Sequence, residues 1–227
     1  MANICVFTAV CEDDAFWVDQ YLAEIDRLKL PFVIYLDRCS VETKQKLKNH
    51  TLCVGAYEQD DHTQEFHEAR KQKLLDLIPK QYEWALAWDI DETWECRALE
   101  KLENLPDADY IDVTWVNLWE DDQHIRVGDG FGPRPRTKLY SMKNPWKFTS
   151  PVVNGPYLHE KKDQVAGRIE LVCIHHGLKT KQLREQHKER WDRIYTKATG
   201  SNPYKLWETA VDETITPNVQ PNPYETC

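Results

Sequence analysis

Trp84-Ala85-Leu86-Ala87-Trp88-Asp89-Ile90-Asp91-Glu92 is the stretch on which the fold class turns. A short apolar run, Trp84 to Trp88, gives way abruptly to three carboxylates interrupted only by Ile90. Such a run predicts a buried strand that delivers Asp89 to its carboxyl end. Ligands of open α/β sheets gather at that edge. An Asp-x-Asp placed there lets a divalent cation bridge carboxylates to a diphosphate, because Mg²⁺ and Mn²⁺ take oxygen ligands and share their shell with substrate phosphates. The motif alone is common in acidic proteins, where it marks a solvated turn. The apolar strand before it and Glu92 after it are what give it weight here.

Working outward, Asn3 to Val10 reads as a first strand that stops at Cys11-Glu12-Asp13-Asp14, with the two aspartates as N-caps of a following helix. Trp17, Tyr21, Ile25 and Leu28 recur at helical spacing, Pro31 ends that segment, and Phe32 to Leu36 forms a second strand stopping at Asp37. A βαβ unit therefore opens the protein. Leu52 to Ala56 is a third strand, followed by a helix from about Thr63 to Ile78 with Phe66, Ala69, Leu77 and Ile78 on its buried side. Beyond the Asp-x-Asp, Tyr110 to Trp119 alternates as a strand does, with Ile111, Val113 and Trp115 on one face. Glu120 to Arg136, with its glycines and prolines, reads as a long functional loop. Lys138 to Met142 and Glu170 to Ile174 are further strands. Leu183, His187, Trp191 and Ile194 share one face of a last helix, which makes His187 a packed core histidine. Ser201 to Cys227 reads as a tail.

Length and composition set the limits. A chain of 227 residues suffices for one α/β domain with a full core. No stretch approaches the roughly 20 apolar residues of a membrane span, and the N-terminus lacks a basic start followed by a long apolar run. A cytoplasmic protein without a transmembrane segment is expected. Seven cysteines, an odd number without a CxxC pair, predict reduced thiols. A net charge of −9 argues against a protein whose main task is gripping a nucleic-acid backbone. The nine tryptophans serve either as core or as stacking platforms for sugars or bases. There is no Walker loop, no GxGxxG after the first strand and no GxSxG elbow. His159-Glu160 lacks the second histidine of a zincin.

The order Phe66-x-x-x-Arg70, a helix, then Tyr82 to Glu92 resembles the approach to the Asp-x-Asp-Glu motif of GT-A fold, family 2-like glycosyltransferases. Arg136-x-Lys138-Leu139-Tyr140, His159-Glu160 and Ile174-His175-His176-Gly177 are similar in order to that family's arginine strand, His-Glu pair and late histidine. The resemblance spans about Asn3 to Tyr195. It implies a single GT-A-type α/β domain over residues 1–200, with a mixed, mostly parallel central sheet flanked by helices. Residues 1–92 would be a Rossmann-like half that binds the nucleotide sugar, 93–200 the acceptor and catalytic half, and 201–227 a C-terminal tail.

Carried over residue by residue, the resemblance implies that Asp37 recognises the donor's nucleoside, with Ala9 and Val10 offering backbone contacts. Arg70 stands near the nucleotide or its phosphates, Asp89 near the ribose or the metal, and Asp91 ligates Mn²⁺ or Mg²⁺ with His175 or His176. Lys179, Lys181 and Arg184 are candidates to neutralise the leaving diphosphate. Glu160 would be the base, with Asp129 in reserve, and Glu92, Trp115 and His159 would face the acceptor. Lys71 departs from the family, where asparagine is common after the arginine, and the segment Asp121 to Pro135 has no counterpart. With Trp115, Trp119, His124, Arg126, Phe131, Arg134 and Arg136, the surroundings of that segment mix aromatic and basic residues suited to a nucleotide, a saccharide or plain packing.

The expected activity is thus metal-dependent transfer from a nucleotide sugar, a UDP-sugar foremost, to a glycan hydroxyl. Two alternatives stand beside it. One is a phage-type transferase acting on a hydroxymethylated base in DNA, and the other is a non-catalytic module of the same fold that binds a sugar nucleotide or a partner.

Overall fold

In the computed structural model, the described residues are 3–59, 67–128, 131–147, 163–199 and 217–224. Along the chain run β1 (Ile4–Cys11), α1 (Val18–Leu28), β2 (Phe32–Asp37), α2 (Val41–Lys48), β3 (Cys53–Gln59), α3 (His67–Leu77) and β4 (Trp84–Ala87). There follow β5 (Glu92–Trp94), α4 (Ala98–Leu102), β6 (Tyr110–Asn117), β7 (His124–Arg126), β8 (Arg134–Ser141), β9 (Ala166–His175), α5 (Lys181–Thr199) and β10 (Val219–Pro221). The fold is mixed α/β, as expected, and the strand order of its eight-stranded sheet is β3-β2-β1-β4-β8-β6-β9-β5. Two compact units are distinguished: Met1–Asp91, Arg97–Val113 and Thr137–Glu170 in the first, Glu92–Cys96, Thr114–Arg136 and Leu171–Cys227 in the second.

In the first unit, β1 lies between β2 and β4 and is parallel to both, with β3 parallel to β2 beyond. A strand hydrogen-bonded on both sides and covered on both faces must be apolar throughout rather than alternating. Accordingly all of β2 is buried, and so is all of β1 except Ala9. Leu74, Leu75 and Ile78 close one face over Cys5, Phe7, Val33 and Tyr35. β8 joins antiparallel to β4, with Leu86 opposite Leu139. The helix expected after β1 is preceded by a 3₁₀ turn, Glu12–Trp17, and the α-helical geometry begins at Val18. Asp14 caps this turn by accepting the Cys11 N–H at 2.9 Å. Sequence reasoning missed α2, whose polar sequence buries only Thr43 and Leu47 and which is capped by Ser40 Oγ accepting the Thr43 N–H.

In the second unit, β5 pairs antiparallel with β9, and β7 pairs antiparallel with β10. Val116, Leu118, Ile125, Val172 and Ile174 form one apolar cluster, and Trp119, Phe131 and Leu178 form another. The stretch Glu120 to Arg136, expected as a loop, therefore contains a strand and the start of another, turning at Gly128 with φ +81°. Period-2 patterning is invisible in a strand as short as β7, where the buried residues are the adjacent Ile125 and Arg126. No helix among the described residues is long and apolar enough to cross a membrane. Cys5, Cys11, Cys39, Cys53 and Cys173 are reduced, whereas Cys96 is disulfide-bonded, which the spacing did not foretell.

Two outcomes test this packing. Burial raises the Cys5 thiol from its ordinary 9.0 to about 12. A folded-state value above the unfolded one means that the thiol's contribution is complete below pH 9 and is lost as the pH climbs toward 12. Urea unfolding should therefore show stability falling above pH 9 more steeply, by about 1.4 kcal/mol per pH unit, than in Cys5→Ala. Gly167 in β9 leaves no room for a methyl group, since a Cβ there would stand 2.9 Å from Ala108 Cβ and 3.1 Å from Pro106 Cγ. Gly167→Ala should lower the unfolding free energy by about 1–3 kcal/mol, and an unchanged urea midpoint would refute that crowding.

Candidate functional site

Because β1, β2 and β4 are parallel, their carboxyl ends lie on one edge of the sheet. Val10 is buried there, and its carbonyl accepts the Cys39 thiol at 3.4 Å. Ala9 beside it is half-buried. Asp37, opposite Cys11, is 4% exposed, and its carboxylate accepts Arg38 Nε at 3.0 Å and Nη2 at 3.3 Å. Arg38 itself has a left-handed backbone, φ +56°. Asp37 is also the first cause holding the Arg38 guanidinium above its ordinary ionisation range. Where sequence reasoning gave Asp37 a nucleoside to recognise, the carboxylate is thus already joined to its neighbour's guanidinium.

Asp89 is aimed by the residue before it. Thr8 Oγ1 donates to the Trp88 carbonyl at 2.7 Å and also meets the Tyr21 hydroxyl at 2.9 Å, while Trp88 and Tyr21 pack edge to face at 5.5 Å. A buried hydroxyl with two partners fixes a backbone carbonyl more firmly than packing alone. Asp89 beyond it is half-exposed, and Lys138 Nζ, on an almost wholly buried side chain of β8, stands 3.5 Å from its Oδ2. Sequence reasoning did not single out Lys138 as a site residue. Its signal was a lysine set directly before the apolar Leu139-Tyr140 of a strand, a position that demands a carboxylate.

The second constellation grows from the β5–β9 pairing. Glu92 lies opposite His175, Thr93 opposite Ile174 and Trp94 opposite Cys173. Asp91, bonded to Glu92, offers its carboxylate together with His175 and His187, and one ligand atom from each lies within 4.8 Å of the others. His175 Nδ1 meets Asn117 Oδ1 at 2.8 Å, and Asn117 Nδ2 donates to the Phe131 carbonyl at 2.7 Å. Since the Asn117 oxygen can only accept, Nδ1 of His175 carries the proton and Nε2 holds the lone pair that a cation can use. Glu92 is fully buried and accepts the Trp115 Nε1–H at 2.8 Å. The Trp115 ring lies 4.8 Å from that of His175, and the guanidinium groups of Arg136 and Arg134 sit 4.5 and 4.9 Å from the same indole.

Of the adjacent histidines, only His175 enters this cluster. His176 is held elsewhere, by Thr93 Oγ1 at 2.8 Å from its Nε2 and by Asp122 at 3.8 Å from its Nδ1. His187, expected to be a packed core residue, is half-buried, and its ring stands 5.8 Å from that of His175. The reason sequence reasoning missed it is that its place depends on α5 meeting the end of β9, a contact that helical periodicity cannot encode. Lys181 is exposed at the start of α5. Lys179 pairs with Asp122 at 2.8 Å, and Arg184 with Glu120 at 3.2 Å. Arg70 lies in α3. Its side chain falls outside the described residues, as do Asp129, His159 and Glu160.

No protein-family model matches the chain, and no curated protein matches it in sequence. Among solved structures it is similar to the inositol-1-phosphate CTP transferase from T. maritima, with 10% identity and a TM-score of 0.53 over 86% of this chain and 96% of that one. It is also similar, with 10% identity and a TM-score of 0.45 over 74% of this chain and 89% of that one, to the 4-diphosphocytidyl-2C-methyl-D-erythritol synthase from Anaerococcus prevotii. A nucleotide-diphospho-sugar transferase candidate from Desulfovibrio desulfuricans G20 matches with 13% identity and a TM-score of 0.41, over 92% of this chain and 95% of that one. At such identities a likeness speaks to the fold alone, and the T. maritima protein is the one of these near enough to carry it: the chain has the α/β fold of that CTP transferase.

Proposed function

We propose that this chain is a divalent-cation-dependent glycosyltransferase that moves a sugar from a nucleotide-sugar donor, a UDP-sugar foremost, to a saccharide hydroxyl. The observation that carries the proposal is the gathering of Asp91, which follows β4 by four residues, with His175 and His187. A carboxylate and two imidazoles are a donor set that suits Mn²⁺ better than Mg²⁺, which prefers oxygen throughout. Asp91, His175 and His187 would hold the cation. When bound, it would supply Lewis-acid stabilisation of the charge on the departing diphosphate.

The chain's own groups divide the rest of the work. In the transfer the acceptor oxygen bonds to the anomeric carbon, the bond from that carbon to the β-phosphate oxygen breaks, and its electron pair leaves with the nucleoside diphosphate. The acceptor proton goes to a carboxylate, for which Glu160 is the first candidate and Asp129 the second. Lys138, beside Asp89 at 3.5 Å, keeps a positive charge at the carboxyl edge of the parallel strands, where an α/β sheet takes its ligands. Asn117 holds His175 in the tautomer that ligation needs, and Trp115 with Glu92 holds the ring in place. The T. maritima protein of the same fold handles a cytidine nucleotide by name, which agrees with a nucleotide at that edge.

Thermal unfolding with MnCl₂ at about a hundredfold excess over its Kd should raise the midpoint of the wild type by about 5–10 °C. Asp91→Ala, His175→Ala and His187→Ala should lose that shift, and His176→Ala should keep it. Equal shifts in wild type and Asp91→Ala would sink the metal assignment. Incubation with UDP-sugars and a glycan panel should release UDP, whereas pyrophosphate released from CTP and a sugar phosphate would make the chain a nucleotidyltransferase instead. For the base, Glu160→Gln should lower kcat by about 10²–10⁴-fold with donor affinity unchanged. Retained turnover removes Glu160 from the reaction and passes the role to Asp129.

A further inference from the structure

We infer that Cys96 is joined to Cys227, and that this bond is a redox-labile clasp on the strap of chain at 218–224. Cys96 is disulfide-bonded, whereas Cys5, Cys11, Cys39, Cys53 and Cys173 are free. The sequence holds seven cysteines, so Cys227, which lies outside the described residues, is the partner left. The chemistry of the thiols agrees with that division. Burial holds those of Cys5 and Cys39 up at about 12, which leaves almost no thiolate near neutral pH to exchange with a disulfide. Cys96 is half-buried in the turn after β5.

The described residues bring the two ends of the clasp toward one place. Glu95, just before Cys96, donates its N–H to the Val172 carbonyl at 3.2 Å, and its carboxylate accepts the Val172 N–H at 2.7 Å. Val172 belongs to the apolar cluster with Val116, Leu118, Ile125 and Ile174, and Tyr224 packs against that cluster. Cys227 is three residues beyond Tyr224, a reach of about 10 Å in extended chain. That reach, added to the roughly 4–7 Å between the Cα atoms of a disulfide, matches the breadth of a few packed side chains.

The strap gains from a covalent hold because its own pairing is short. β10 is three residues long and pairs with β7, the Val127 N–H donates to the Asn218 carbonyl at 2.9 Å, and the Asn222 N–H donates to the Gln123 carbonyl at 2.6 Å. Two short strands pair only marginally by themselves, and a disulfide disfavours the opened state by limiting its freedom. Val219 packs against the cluster of Trp119, Phe131 and Leu178, and the Phe131 carbonyl accepts from Asn117, whose oxygen meets His175. Opening the clasp therefore loosens the packing behind His175. Closing it takes one proton and one electron from each thiol, and a low-molecular-weight disulfide accepts the electron pair and leaves as two thiols. In opening, a dithiol's thiolate attacks one sulfur and its second thiolate displaces the other. The reductant leaves as a cyclic disulfide, and Cys96 and Cys227 each carry a proton.

The test takes the full chain, oxidised with a low-molecular-weight disulfide, blocks free thiols by alkylation and maps the peptides by mass spectrometry without reduction. One linked peptide pair should contain Cys96 and Cys227, and dithiothreitol should separate it with the gain of two hydrogens. Cys96 recovered as an alkylated thiol, joined to another cysteine, or joined to a second copy of the chain overturns the proposal. Amide hydrogen exchange then reads the hold on the strap. In Cys227→Ser, and in the wild type reduced with dithiothreitol, Val127 and Asn222 should exchange about tenfold faster or more, while Val6 and Phe32 in the parallel strands keep their rates. The reduced wild type decides the matter if the variant fails to fold. Equal exchange at Val127 and Asn222 in the oxidised and reduced wild type shows that the bond holds nothing, and removes the clasp.

Discussion

The antiparallel register of β5 on β9 sets Glu92 opposite His175, and the place of His175 among Asp91 and His187 depends on that pairing. Side chains alternate along a strand, so a slip by one residue would exchange the faces of Glu92 and Thr93. The slip is opposed by the most costly kind of group to misplace, a carboxylate with no exposure to water. Trp115 Nε1 donates to Glu92 at 2.8 Å, and a buried carboxylate without donors would cost several kcal/mol. Thr93 adds a second lock by bonding His176, which keeps that imidazole away from the cluster. The pairing thus separates the two adjacent imidazoles, with His175 beside Asp91 and His176 on Thr93.

The same economy runs through the neighbouring strands. Asn117, at the end of β6, is fully buried, and its amide is committed at both ends, to the Phe131 carbonyl and to His175. Such a residue cannot reorient without leaving a buried polar group unmet, so it transmits order from the Gly128 turn to the histidine. At the parallel edge the Thr8 hydroxyl does comparable work for Asp89 by pinning the carbonyl of Trp88. In both places a small uncharged polar side chain fixes the direction of a charged one.

These relations explain what could be read from the sequence and what could not. The buried strands β1, β2 and β4 announce themselves as unbroken apolar runs ending in acids, because strands covered on both faces have no polar side to show. Asp89, Asp91 and His175 were singled out from that pattern and from motif order, and the structure sets Asp91 and His175 together. His187 did not, since its helical face is apolar whether the histidine packs or ligates, and only the meeting of α5 with β9 distinguishes the two. Lys138 escaped for a similar reason: its partner Asp89 is remote in sequence, and a lysine beside apolar strand residues looks like an edge position until Asp89 is seen 3.5 Å away. The strand β7 and the helix α2 were lost because neither has enough apolar residues to show a period. Glu92 and Trp115 were expected to face an acceptor, and their mutual hydrogen bond depends on strand pairing that no local pattern records.

A chain with net charge −9 would not be expected to seek anions, yet its second unit sets arginines against aromatic rings. Arg126 and Arg184 lie 4.4 and 4.2 Å from Trp119, as Arg134 and Arg136 lie against Trp115. The two scales do not conflict. At physiological salt the field of distant surface acids decays over about 8 Å, whereas half-buried guanidinium groups act at contact range and are screened far less. Overall charge governs solubility and the approach of large polyanions. Contacts between guanidinium groups and indoles are thus compatible with an acidic surface, which disfavours an extended nucleic-acid backbone because that would need neutralising contacts along its whole length.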